Sequence, residues 1–76
     1  MIRLSELKIG DKGFVLSIED ETLEQQLFQM GVTPGEMIQV ERVSPLSDPI
    51  AILVSNSLLS IRLSDARNII ISLYNE

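Results

Sequence analysis

Residues 13–35, GFVLSIEDETLEQQLFQMGVTPG, change hydrophobic period once, and that change decides the fold class. Phe14, Leu16 and Ile18 alternate with Ser17 and are stopped by Glu19, Asp20 and Glu21, the period-two pattern of a strand with one buried face. From Thr22 the period becomes helical. Leu23, Leu27 and Met30 stand at i, i+4 and i+7 on one stripe, and Gln25 follows Thr22 at capping-box spacing. Gly31 is placed to end the helix in the left-handed conformation. Thr33-Pro34-Gly35-Glu36 then reads as a type II turn, because Pro presets φ at the second position and Gly accepts positive φ at the third.

Outward from this helix the chain reads as strands and turns. Upstream, Leu4, Leu7 and Ile9 form a run too short for a core helix, so a single turn plugging one end of a core is expected. Downstream, Ile38 and Val40 begin an alternation through Val43, and Ile50, Ile52 and Val54 repeat it. Leu59 and Ile61 follow a turn at Ser55-Asn56-Ser57, and Ile69, Ile71 and Leu73 close the chain. Ser64 is an N-cap type, with room for one helical turn through Arg67. Five short strands with one helix inserted after the first, in a single domain over residues 1–76, predict an all-β, antiparallel small barrel of the SH3-like type. Its expected core includes Phe14, Leu16, Ile18, Leu27, Ile38, Val40, Ile52, Ile61 and Ile71.

The 76 residues include 26 Leu, Ile and Val, three aromatics, and neither Cys nor His. Disulfides, thiolate or imidazole metal sites and Ser-His or Cys-His dyads are thereby excluded. No nucleophile has a base and no glycine loop cradles a phosphate, so an enzyme is not expected. Six Lys and Arg against eleven Asp and Glu leave a net charge of −5, the wrong sign for a domain that binds by neutralising phosphates. Nucleic acid and anionic membrane surfaces are therefore not expected partners. No stretch approaches the roughly 18 apolar residues of a membrane helix, and Arg3, Glu6 and Lys8 interrupt what would be the core of a signal peptide. A cytoplasmic location without membrane insertion is the expectation.

Among exposed features, the loop Pro45-Leu46-Ser47-Asp48-Pro49 carries the strongest functional hint. Two prolines stiffen it, which lowers the ordering entropy of binding, and Leu46 is its apolar residue. Whether Leu46 points outward or folds back to cap the barrel is left open by the sequence. Phe28 falls about 100° from Leu27 on the helix, at the edge of the buried stripe, and the pattern favours rim core over exposed anchor. Glu19, Asp20, Glu21 and Glu24 form the densest oxygen cluster. They suit a weakly held divalent cation at most, and their expected role is to complement the positive end of the helix that follows, so no cofactor is expected. Reading of proline-rich peptides is not expected either, since Phe14, Phe28 and Tyr74 are the only aromatics.

Three blocks, LFQMGVTPG at 27–35, VSPLSDPIAI at 43–52 and LLSIRLSDARNIII at 58–71, resemble in order the ferrous-iron transport protein A family, FeoA. Leu4, Leu7, Gly10, Gly13, Val15 and Ile18 resemble the family's opening. The family commonly has Gly in the loop where this chain has Ser47, and near the turn where it has Asn56. The resemblance implies an SH3-like fold and a cytoplasmic accessory that binds and modulates the membrane GTPase-permease FeoB; weak self-association is a further expectation. The alternative is a stand-alone metal-responsive regulatory domain, because the module also resembles the C-terminal domain of iron-dependent repressors. With no helix-turn-helix part ahead of Met1, the accessory role is the one expected. Leu46, Ser47 and Asp48, joined by Phe28, are then the expected partner-binding residues; no residue is expected to ligate metal or to catalyse.

Overall fold

The computed structural model describes residues 1–74. Strand β1 (Ile2–Arg3) leads through a 3-10 turn (Leu4–Glu6) to β2 (Lys12–Ile18) and α1 (Glu21–Gln29). There follow β3 (Met37–Val43), β4 (Ile50–Val54), β5 (Ser57–Ile61), α2 (Leu63–Ala66) and β6 (Ile69–Leu73). The strands form one antiparallel sheet in the order β1-β6-β2-β3-β4-β5, an SH3-like fold with its helix inserted after β2. The five expected strands are the long ones. A two-residue strand, β1, joins them by pairing Ile2 with Ile71 and Arg3 with Ile70.

β2 buries the opposite face from the one its alternation suggested. Gly13 and Val15 are buried, whereas Phe14 is 38% and Leu16 44% exposed. The cause is steric: β6 runs so close to Gly13 that a Cβ there would overlap the Ile71 side chain and lie 2.6 Å from the Ser72 carbonyl oxygen. Only glycine fits such an approach. A register shift between Val15 and Ser17 leaves Leu16 as the extra residue of a bulge, after which Ile18 returns to the core. Phe14 packs instead on the outer face, edge-on to Tyr74 with ring centroids 6.3 Å apart.

The helix begins two residues earlier than its spacing indicated. Asp20, rather than Thr22, is the N-cap, and its Oδ1 accepts a 3.0 Å hydrogen bond from the Leu23 amide. Leu23 and Leu27 enter the core, but Met30 does not, because the chain reverses at Gly31, where φ is +86°. Gly31 N–H donates to Phe28 O and Val32 N–H to Leu27 O, the paired bonds of a Schellman ending, and Val32 takes the buried place expected of Met30. The turn that follows is as expected: Gly35 has φ +96° and Glu36 N–H reaches Thr33 O at 3.0 Å. Gly35 N–H then donates to Val15 O, and Val15 N–H to Glu36 O, so the bulged strand and the corner are bonded to each other.

Apart from Phe14 and Leu16, the expected core is observed: Ile18, Leu27, Ile38, Val40, Ile52, Ile61 and Ile71 are all buried. Leu4 and Leu7 plug it, while Ile9 is turned outward by the reversal in which Asp11 N–H donates to Lys8 O and Lys8 N–H to Asp11 Oδ2. Ser55 and Asn56, both at positive φ, form the two-residue link between β4 and β5, the conformation of a type I′ hairpin. Ser64 does not cap α2; that helix is capped from elsewhere in the chain, as described below.

Gly13→Ala is expected to cost about 1–3 kcal/mol through overpacking at the β2–β6 seam, lowering the melting temperature by about 5 °C or more in a domain of this size. Phe14→Ala is expected to cost less than the ~3–5 kcal/mol of a core aromatic. Urea denaturation of the two variants checks the inverted face of β2 directly.

Candidate docking surface

The loop between β3 and β4 presents Leu46 to solvent, 87% exposed. Its base is closed by hydrogen bonds from Ser44 N–H to Pro49 O and from Ser47 N–H to Ser44 O. Ser47 sits at φ +63°, in the left-handed region where glycine is free of strain. Asp48 is exposed as a residue, yet its Oδ1 accepts a 3.0 Å hydrogen bond from the Leu63 amide. That bond satisfies an orphan donor at the start of α2, the task Ser64 was expected to perform. Of the three loop residues expected at an interface, Leu46 is therefore the free tip, Ser47 makes the turn, and Asp48 anchors the loop to α2.

Phe28 is not rim core. It is 69% exposed on α1: the helix buries Leu23 and Leu27, Val32 beyond the helix completes the buried stripe, and Phe28 faces outside it. With Gln25 and Gln29 of the same helix it forms one side of a groove of about 470 Å³, and Thr33 and Pro34 form the other. Val32, only 1% exposed, contributes to its lining, as does Glu24. Leu46 does not line this groove, so the expected partner residues fall on two separate features.

The acidic run is divided among structural tasks. Asp20 caps α1, and Glu19 bonds at 2.6 Å to Arg3, whose guanidinium also donates to Arg67 O. Glu21 and Glu24 lie in the first helical turn, where negative charge complements the helix dipole. Among the described residues, no group of three or more carboxylates is arranged to hold a metal ion. Arg62 and Asp65 form a 3.4 Å pair with Arg62 largely exposed, which contributes little.

The outer face of the sheet adds a feature the sequence did not suggest. Phe14 lies directly across from Met37 and against Tyr74, all three partly exposed. The signal that could have found it is Gly13: a glycine inside an alternating strand marks close backbone approach and hence the inward face.

Residues 2–73 match the family model described as FeoA domain. The chain is 32% identical over 73 residues to a Fe(2+) transport protein A/Fe(2+) transporter FeoB fusion protein of Porphyromonas gingivalis, a match covering 95% of this chain and 9% of that protein's length. Among solved structures, the FeoA protein of Chlorobium tepidum superposes with a TM-score of 0.90 at 32% identity, covering 97% of this chain and 71% of that one. A crystal structure of an iron uptake regulatory protein, FeoA, gives a TM-score of 0.86 at 36% identity over 96% of both chains. With family pattern and fold agreeing over nearly its whole length, the chain belongs to the FeoA domain family.

Proposed function

We propose that the protein is a non-catalytic, cytoplasmic accessory of ferrous-iron uptake that docks on a FeoB-type membrane GTPase-permease and modulates it. The observation that carries this reading is the Porphyromonas gingivalis relative, named as transport protein A fused to FeoB. A fusion keeps two partners at high effective concentration, an advantage when they act by contact. It favours the transport role over the alternative of a stand-alone metal-responsive regulator. The charge of −5 supports a protein rather than a nucleic-acid partner. Among the described residues no helix is long and apolar enough to cross a membrane, so contact with a permease would be made from outside the bilayer.

Leu46 is the proposed anchor of this contact, on a loop already ordered by its own hydrogen bonds and by Asp48. An anchor held in its bound conformation loses little entropy on docking. Leu46→Asp is expected to weaken binding to the permease's cytosolic part by at least thirtyfold, about 2 kcal/mol, while changing stability by less than about 0.5 kcal/mol. Co-purification paired with a thermal melt checks this: unchanged binding with an unchanged melt refutes the role of Leu46. Size-exclusion runs of the same variant show whether a second copy uses the same tip.

The chain is proposed to act on the permease rather than to carry Fe(II) in a tight site of its own. Its donors are carboxylates, amides, hydroxyls and thioethers, and Asp20 and Glu19 of the acidic run are already engaged. Fe(II) favours imidazole with carboxylate, and carboxylate sites of low charge density are weak. Anaerobic calorimetry is expected to show no stoichiometric Fe(II) binding of micromolar affinity, about −8 kcal/mol. A tight site would move attention to Glu19, Asp20, Glu21 and Glu24.

A further inference from the structure

The six Lys and Arg are Arg3, Lys8, Lys12, Arg42, Arg62 and Arg67, so residues 13–41 contain none. The same span holds Glu19, which is paired with Arg3, and Asp20, Glu21, Glu24, Glu36 and Glu41. All of α1 and the corner after it therefore lie in a segment of one charge sign. Within that segment sits the groove of about 470 Å³, with Phe28 on one wall and Pro34 on the other. Its volume is within the range of sites that take a compact ligand group. Gln25 and Gln29 offer neutral hydrogen-bonding groups beside Phe28, while Glu24 supplies the one charge in the lining.

The groove is also preformed. Its two walls are joined by the Schellman ending of α1, by the Thr33–Glu36 turn, and by the bonds between Gly35, Glu36 and Val15. Phe28 adds a large rigid face with few rotatable bonds, the kind of side chain that dominates binding energy. A phenyl ring 69% exposed in a groove wall, with carboxylates and no cation around it in sequence, is complementary to an apolar side chain flanked by positive charge. A cation also gains from the ring face itself.

We propose that this groove is a docking site for a basic peptide segment of a protein partner, taking one aliphatic or aromatic side chain against Phe28 and Pro34 with Lys or Arg beside Glu24. The proposal rests on the docking reading above, since it specifies the partner chemistry for Phe28. An acidic segment would be repelled by Glu24, and a second copy of this chain, at −5, has no basic stretch to match α1.

The test uses the full chain, nitrogen-15 labelled, titrated with a capped synthetic peptide carrying two leucines between four lysines. Amide shifts are expected at Gln25, Phe28, Gln29, Val32 and Thr33. Phe28→Ala should weaken binding by at least about tenfold, and Glu24→Lys by about threefold with a flatter dependence on salt. Glu24→Lys leaves the core untouched, so it decides the matter should Phe28→Ala disturb the fold. Equal binding of the peptide with its lysines changed to glutamates, or with its leucines changed to serines, overturns the proposal. So do shifts centred on Leu46, or no binding. Capture of the permease's cytosolic part is measured in parallel. Capture without peptide binding overturns the groove assignment alone, whereas peptide binding at the groove without capture overturns the transport reading alone.

Discussion

The close packing of β6 against Gly13 is the constraint from which much of the molecule's surface follows. No side chain fits at that position, so the neighbouring residues alternate around it: Val15 goes inward and Phe14 outward. The bulge at Leu16 then restores Ile18 to the core before the chain enters α1. Because the backbone of Val15 bonds to Gly35 and Glu36, the seam also sets where the helix-to-strand corner lies. That corner forms the wall opposite Phe28. A steric requirement between two core strands thus reaches the candidate docking groove through two backbone hydrogen bonds.

The two exposed apolar features are both held by structure that resists collapse. Leu46 is at the tip of a loop closed at its base and tied to α2 by Asp48. Phe28 stands on a helix capped at one end by Asp20 and at the other by the glycine reversal. Caps at both termini satisfy the backbone groups that would otherwise fray, which matters for a nine-residue helix too short to be stable alone. A small aliphatic core can keep such residues outside only if the backbone beneath them is fixed. Otherwise they would fold back and bury their area.

The charges divide in a related way. Cations cluster near the chain ends and at Arg42, where Arg3 joins the start of the chain to Glu19 and to the end of α2. The span 13–41 is left acidic. At an ionic strength near physiological, exposed charges are screened beyond about 8 Å, so the charge that acts most directly at the groove is that of Glu24, which lines it.

The sequence by itself determined the element order, the helix position to within a turn, the glycine reversals at Gly31 and Gly35, and a core of alternating aliphatics. These follow from local periodicity and from backbone conformations that few residues adopt. The family was legible in its spaced blocks, and Leu46 was legible as a candidate because prolines mark its loop. Which face of β2 is buried was not legible from its hydrophobic period, since residues 14, 15, 16 and 18 are all apolar and both faces satisfy the pattern; Gly13 was the one local sign of the inward face. Nor was the capping of α2 by Asp48, fifteen residues upstream of Leu63, or the exposure of Phe28. Those were decided by the tertiary structure, because they depend on the separation of β2 and β6, on where a distant loop lands, and on which residue, Met30 or Val32, completes the buried stripe once the chain has turned.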